Sequence, residues 1–153
     1  MQKLYVDIET YSDVDLPKSN VYRYVESPQF QIIMAQWSWG DGDVWVETDA
    51  EDIRTTIFEA LADPDVVLVA HNAPFERVCF SSFLGLDGFL PPERFIDTAA
   101  LAAVYGYPRS LEGAAKALGA DPKDTAGTRL INLFCKPNRK GERIMPSDKP
   151  EEW

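Results

Sequence analysis

The unbroken apolar run at residues 66–70, Val-Val-Leu-Val-Ala, is the feature of this sequence that most constrains its fold. A strand that is apolar on both faces needs cover on both sides, which is typical of a parallel strand inside an α/β sheet. Residues 63–65, Asp-Pro-Asp, precede the run, and residues 71–74, His-Asn-Ala-Pro, follow it, so turn-forming residues bound it at each end. The run therefore predicts a central strand of a sheet that helices cover.

The order of the other predicted elements indicates a mixed sheet. Apolar, β-prone residues predict strands at 3–9 and 31–39, and the Gly-Asp-Gly-Asp turn at 40–43 predicts a hairpin into a third strand at 44–46. Apolar spacing and capping residues predict helices at residues 50–62, from 74 onwards, 99–105, from 111 onwards and 125–134, with a short strand at 95–96. The predicted fold class is α/β, an antiparallel meander followed by alternating helices and strands.

Size and composition favour a single domain with a packed core. The chain has 153 residues, of which 45% are hydrophobic. No apolar run reaches the length of a bilayer-spanning helix and no leader is visible, so we expect a soluble, intracellular chain without membrane contact. Cys79 and Cys135 form no CxxC pair and lie in apolar surroundings, which predicts reduced core thiols and neither a disulfide nor a zinc site.

The charge balance argues against a general electrostatic grip on nucleic acid, because the formal net charge is -10. It leaves open an enzyme that holds nucleic acid through a small groove, bound cations or another domain. One local basic cluster is present, made of Lys136, Arg139, Lys140 and Arg143. A solvated tail is the favoured interpretation of this cluster, and contact with a DNA backbone is the alternative.

Asp7 and Glu9 form the first candidate site. Residues two apart on a strand point to the same face, so both carboxylates lie side by side where the first strand ends. Adjacent like charges are unfavourable without a cation, and hard oxygen ligands suit Mg²⁺ or Mn²⁺. A solvated strand end is the alternative interpretation of this pair.

Glu76 is the second candidate, in the stretch His-Asn-Ala-Pro-Phe-Glu at residues 71–76. It lies in the first turn of a helix that leaves the buried strand. If that strand neighbours the first one, Glu76 lies at the same sheet edge as Asp7 and Glu9. The alternative is that Glu76 only favours the helix N-terminus through the helix dipole.

In order along the chain, Asp-Ile-Glu-Thr at 7–10 and Val-Ala-His-Asn-Ala-Pro-Phe-Glu at 69–76 resemble motifs of the DEDD superfamily of 3′-to-5′ exonucleases, a branch of the ribonuclease H-like fold. Further strings are similar to the exonuclease domains of phage-type family A DNA polymerases. They are Tyr-Arg-Tyr at 22–24, Phe-Gln-Ile-Ile-Met-Ala at 30–35, Asp-Thr at 97–98, Arg-Ser-Leu-Glu-Gly-Ala-Ala at 109–115 and Leu-Ile-Asn-Leu-Phe-Cys-Lys-Pro at 130–137.

This resemblance implies a catalytic and metal-binding set of Asp7, Glu9 and Glu76, with Glu76 standing where the family usually has Asp. It implies two Mg²⁺ or Mn²⁺ ions about 4 Å apart that hydrolyse phosphodiester bonds. Asp7 is expected to bridge the ions, Glu9 to complete the first site and Glu76 to support the second. The implied partners are the 3′ end of single-stranded DNA and a polymerase domain in the same or a partner chain, in a bacterial or phage-infected host cytoplasm.

Four further residues are predicted to bind substrate. Thr10 and Tyr11 would present backbone N–H groups or side-chain contacts to the terminal nucleotide. Asn72 would fix its turn or touch the substrate strand. Phe75 is either a core residue, the favoured interpretation, or a ring that stacks on a base.

The chain departs from the family at its third motif, Tyr-x-x-x-Asp or His-x-x-x-x-Asp, which the resemblance places on a late helix. No residues after Glu76 form that motif. We therefore expect an incomplete exonuclease-like domain at 1–135 and a polar tail at 136–153 that leads towards a missing helix. Substitute ligands considered are Asp97, more simply a helix cap, with Asp124 and Asp148. The alternative function is a non-catalytic nucleic-acid- or metal-binding fragment of the same fold.

Overall fold

The computed structural model describes residues 1–120 and 126–153, and these form five strands and six α-helices. The strands are β1 (Gln2–Tyr11), β2 (Gln31–Trp39), β3 (Trp45–Glu47), β4 (Val66–Ala70) and β5 (Phe95–Asp97). The helices are α1 (Val21–Val25), α2 (Ala50–Ala62), α3 (Pro74–Phe83), α4 (Thr98–Val104), α5 (Leu111–Leu118) and α6 (Ala126–Phe134). Short 3₁₀ turns lie at Leu16–Lys18, Pro92–Arg94 and Pro146–Asp148.

The strands form one mixed sheet in the order β3-β2-β1-β4-β5. β1, β2 and β3 pair antiparallel, whereas β4 pairs parallel with β1 on one side and with β5 on the other. This arrangement confirms the predicted α/β fold class, with an antiparallel meander followed by parallel strands. β1 is therefore the central strand, and its carboxyl end lies beside the carboxyl end of β4.

The main core fills the space between one sheet face and the helices α2 and α3. Leu4, Val6 and Ile8 point from β1 into this core, as the two-residue period of a strand requires. Ile53 and Ile57 of α2 meet them, and in the same layer Trp37 stacks on Phe80 with ring centroids 6.1 Å apart. All five residues of β4 are buried, as the continuous apolar run predicts.

A β-bulge interrupts β1 and β2 beside the candidate acids. Glu9 pairs with Met34, but the next residue, Thr10, pairs with Ile32, so Ile33 is the extra residue on β2. Bulges re-aim side chains and are common next to active sites. Ile33 and Met34 consequently both face the side of the sheet on which Glu9 lies, since both line the same cavity as Glu9.

The start of the third strand differs from the prediction, whereas the start of α3 agrees with it. The third strand begins at Trp45, whereas the prediction began it at Val44, which is 65% exposed and precedes the first pairing with β2. α3 begins at Pro74 with Ala73 as its N-cap, and no side chain caps it. Asn72 instead adopts a left-handed backbone with φ of 76° and connects β4 to the helix.

The segment at 136–153 contacts the rest of the domain. The guanidinium of Arg143 lies 4.5 Å from the ring centroid of Tyr11 and donates a 2.8 Å hydrogen bond to Gln31. Trp153 packs edge-on against Phe134 with a centroid distance of 5.1 Å. The interpretation of a fully solvated basic tail is therefore wrong for Arg143, because it covers a buried ring. Within the described residues, no helix has the length and apolar character needed to cross a membrane.

Candidate active site

The strand register brings the two sequence motifs to one edge of the sheet. Tyr5 of β1 is level with Val69 of β4, so Asp7 lies level with His71, just beyond the end of β4. β5 pairs in parallel on the other side of β4, with Asp97 level with Ala70. The carboxyl ends of three neighbouring strands thus place Asp7, the turn before α3 and Asp97 along one edge.

Asp7 and Glu9 lie on the sheet face opposite the main core. Asp7 is exposed and Glu9 is partly exposed, while Ile8 between them is buried against α2 and α3. The pair has the geometry that the alternation of a strand predicts. Two carboxylates that share one face repel each other, and a nearby positive charge lowers the free energy of the pair.

Glu76 lies in the first turn of α3 and is only 4% exposed. Burial, and to a smaller extent the charges of Asp7 and Asp97, raise the pKa of its carboxyl from 4.5 to about 8. Among the described residues, its Oε2 atom finds no hydrogen-bond partner. Glu76 is therefore electrostatically coupled to Asp7, and the cost of its burial exceeds what capping a helix would explain.

Asp97 performs the capping role that the sequence favours. Its Oδ1 atom accepts hydrogen bonds from the backbone N–H groups of Ala99 and Asn72, both at 2.9 Å. Asp148, the second proposed substitute ligand, accepts a backbone hydrogen bond from Met145 in a 3₁₀ turn. Asp124, the third, lies outside the described residues.

A cavity of about 730 Å³ opens beside Asp7 and Glu9, between the sheet and helices α5 and α6. Glu112 and Glu152 line it as well, so four acidic residues of the described part of the chain line this cavity. Glu152 is paired with Arg129. Sequence reasoning did not select Glu112, because an acid in the first turn of a helix has the same pattern whether or not it faces a site.

A second cavity of about 560 Å³ lies on the other side of Glu9. Thr10 and Phe75, both predicted substrate contacts, line it together with Lys136. The Thr10 hydroxyl shares a 3.0 Å hydrogen bond with the Tyr24 hydroxyl. Phe75 packs partly against the main core and also lines the cavity. Its ring therefore has a core side and a side that faces the cavity.

The comparison with known sequences identifies one relevant relative. No family model matches the chain. The DNA polymerase of Bacillus phage SP02 is 37% identical over 162 aligned positions, which include 100% of this chain and 25% of the polymerase. Over its whole length, the chain is related to part of a phage DNA polymerase. It spans about a quarter of that relative's length, and the resemblance to phage-type polymerases drawn from the motifs is confirmed.

Several solved structures share the fold of this chain. NrnC of Brucella melitensis superimposes with a TM-score of 0.55 at 15% identity, covering 98% of this chain and 64% of its own, and another NrnC structure contains bound Mg²⁺. A nuclease in its apo form gives 0.51 at 18% identity, covering 80% of this chain and 55% of its own. The family B DNA polymerase of Pyrobaculum calidifontis gives 0.53 at 16% identity over 98% of this chain and 22% of its own.

Tyr11 and Asn72, the other two predicted substrate contacts, do not line the second cavity. Tyr11 is 1% exposed and packs with Ile33 and Phe134 beneath Arg143. Its side chain is not available to a ligand, so the predicted contact narrows to its backbone. Asn72 is the turn residue between β4 and α3, which agrees with the turn-fixing half of its prediction.

Cys79 and Cys135 have free thiols, and each is influenced by a candidate acid. The Cys135 thiol donates a 3.5 Å hydrogen bond to Oε2 of Glu9. Burial, followed by the charge of Glu9, raises the pKa of this thiol to about 12. Burial and the charge of Glu76 raise the pKa of Cys79 in the same way. Apolar surroundings in the sequence indicated burial but carried no sign of these neighbours.

The candidate ligand atoms of this site suit a hard divalent cation. The candidate ligands are all carboxylates, and Glu76 brings a buried oxygen without a partner among the described residues. Within the part of the chain that the structure describes, no three acidic, histidine or cysteine side chains already form a closed metal cage. The acids lie along one edge of the sheet and repel one another, and a bound cation would reduce this repulsion.

Proposed function

We propose that this chain is the proofreading-type 3′-to-5′ exonuclease domain of a DNA polymerase, which hydrolyses the terminal phosphodiester bond of single-stranded DNA. The observation that carries the proposal is the placement of Asp7, Glu9 and the electrostatically coupled Glu76 at one sheet edge. The identity with the phage polymerase over the whole chain supports the substrate class. The Mg²⁺ in the NrnC structure supports the choice of ion.

The proposed roles of the acids follow from their positions. Asp7 lies between Glu9 on its own strand and Glu76 beyond the neighbouring strand, so it would be the ligand common to two cations. Glu9 would complete one cation site and Glu76 would support the other. When bound, divalent ions would supply an activated water and neutralise the leaving 3′-oxygen. Glu76 must lose its proton to serve as a ligand, because its pKa lies near 8 without a cation.

The second cavity is the proposed place of the terminal nucleotide. Phe75 offers an aromatic edge for the base, Thr10 offers its backbone, and Lys136 offers the positive charge that a phosphate needs. Stacking on an aromatic ring is tolerant of sequence, which suits an enzyme that removes any misplaced nucleotide. The net charge of -10 makes this local cation important, since the domain as a whole repels DNA.

The fourth carboxylate that the resemblance requires has two proposed sources. Glu112 lines the same cavity as Asp7 and Glu9 and is exposed. The other proposed source is another part of a longer polymerase to which this chain would belong. Residues 136–153 would then connect a domain at 1–135 to that part. Glu152 is the weaker candidate, because Arg129 already pairs with it.

The first experiment uses the whole chain and a 5′-labelled single-stranded DNA with Mg²⁺ or Mn²⁺. We expect a ladder of shortened products that disappears in Asp7→Asn. Asp41→Asn is the matched control, because it makes the same chemical change in the exposed turn between β2 and β3. Cleavage that survives Asp7→Asn, with the same products, would falsify the proposal. Labelled RNA of the same sequence tests the choice of DNA.

A non-catalytic binding module is the second candidate function. The observation that favours it is the lack of a preformed three-ligand metal cage among the described residues. It predicts weak Mn²⁺ binding, lost in Asp7→Asn, with no products from folded protein. Glu112→Gln separates the cases further, since a decrease in cleavage assigns the fourth carboxylate to this chain.

A further inference from the structure

We propose that the Cys135 thiol is a positioning residue that orients the Glu9 carboxylate towards the bound cation. This inference rests on the proposed function, in which Glu9 is a metal ligand. The observation behind it is the 3.5 Å contact from Cys135 Sγ to Oε2 of Glu9, which joins two residues 126 positions apart. The contact connects the residue that directly follows α6 with the central strand β1. Glu9 lies directly before the bulge between β1 and β2.

The thiol is placed to act as a fixed hydrogen-bond donor. It is partly buried, and its S–H group donates to Oε2 of Glu9. A carboxylate has two oxygens, and a donor held on one of them restricts the rotation of the whole group. The thiol thereby sets the direction in which the Glu9 carboxylate points.

The position of Cys135 between the two cavities strengthens this role. Cys135 and Glu9 line both the 730 Å³ cavity and the 560 Å³ cavity. A rotation of Glu9 would therefore move its charge from the side of the acids to the side proposed for the nucleotide. Partners that orient a metal ligand are typically worth about 10- to 100-fold in metal affinity.

The test begins with the metal-free protein, so it does not depend on activity. The S–H stretching band in the infrared spectrum reports directly on hydrogen bonding by a thiol. Cys135→Ser identifies its band against that of Cys79. We expect the Cys135 band to shift towards that of a free thiol in Glu9→Leu, while the Cys79 band stays in place. A Cys135 band that Glu9→Leu leaves unchanged overturns the proposal.

The second arm measures Mn²⁺ affinity by electron paramagnetic resonance. We expect Cys135→Val, which keeps an apolar side chain but removes the donor, to weaken binding about tenfold, and Cys135→Ser to restore most of it. Asn132→Ala, an exposed change on α6, is the matched control and leaves affinity unchanged. In the Glu9→Leu background, Cys135→Val has no further effect if it acts through Glu9.

The outcomes separate this inference from the proposed function. A wild-type protein that binds no Mn²⁺ contradicts both. A wild-type protein whose binding depends on Asp7 but is equal in Cys135→Val contradicts the positioning role alone. An equal loss in Cys135→Val with and without Glu9 also overturns it, because the effect would then be a general loss of packing. Circular dichroism and thermal unfolding confirm that each variant folds.

Discussion

At the scale of single residues, the environment of Glu76 indicates a functional role more clearly than a packing role. Its side chain is buried at the start of α3, and one oxygen lacks a hydrogen-bond partner within the described residues. An ionised carboxylate in such a place is costly, so the carboxyl keeps its proton at neutral pH when no cation is present. A ligand that stabilises the ionised Glu76 carboxylate has to be positively charged.

Glu76 should therefore make the metal-free domain less stable as the pH rises. Its pKa is raised from 4.5 to about 8 in the folded state, so the folded state holds a proton that the unfolded chain has released between these values. The free energy of unfolding then falls by up to about 1.4 kcal/mol per pH unit over that window. Denaturant unfolding in EDTA at pH 5, 6, 7 and 8 measures the slope.

Glu76→Gln is the control for this titration, because it keeps the shape and removes the proton. The slope between pH 5 and 8 should become shallower in the variant. An unchanged slope would show that other groups control the pH dependence. Mg²⁺ added to the wild type at pH 7 should release close to one proton, measurable in weakly buffered solution, and Glu76→Gln should release less.

At the scale of elements, Arg94 joins two parts of the chain that the sequence does not obviously connect. It follows α2 by more than thirty residues and donates hydrogen bonds to the carbonyl groups of Ala60, Leu61, Asp63 and Val66. These carbonyls lie at the end of α2 and the beginning of β4, where a helix leaves its last carbonyl groups without partners. One side chain thus fixes the turn that sends the chain into β4.

Arg94→Met should destabilise the domain by about 3 kcal/mol, because several partly buried carbonyl groups lose a charged donor. Chemical denaturation at constant pH measures the change. Arg23→Met is the matched control, since Arg23 forms an exposed pair with Glu26, and such pairs are worth about 0–1 kcal/mol. Equal losses in the two variants would contradict the role assigned to Arg94.

Predictions from the sequence succeeded where the signal is local, and contacts between residues far apart in the chain were not predicted. Residues 50–62 and 66–70 form α2 and β4 with the predicted bounds, since periodicity and the Asp-Pro-Asp turn are local signals. Asp7 and Glu76 were selected because local motifs carry them. The burial of Tyr11 beneath Arg143 and the contact between Glu9 and Cys135 could not be predicted, because both depend on how α6 and the segment after it pack on distant strands.

At the scale of the whole molecule, charge opposes the compact state. The net charge is -10, and four carboxylates line the larger cavity. Self-repulsion of this kind destabilises a folded domain and is strongest where the charges are closest. A divalent cation that binds only the folded state would reverse the effect.

Mg²⁺ at one hundred times its Kd should raise the free energy of unfolding by about 2.7 kcal/mol. NaCl at the same ionic strength should have a smaller effect, because it only screens the charges. Asp7→Asn should be at least as stable as the wild type in EDTA and should gain little from Mg²⁺. Thermal unfolding with matched ionic strength tests this, and an equal gain from NaCl would contradict specific binding.

The central position of β1 also has a consequence for protein synthesis. β1 leaves the ribosome before both of its partners, β2 on one side and β4 on the other, and β4 begins only at Val66. At about 5–20 residues per second, its second edge waits for several seconds without a partner. Lys3, within the stretch that later pairs with β4, places a charge on that open edge, and edge lysines discourage pairing with other chains. The nascent domain is thus protected while its acidic site still lacks the strand that completes it.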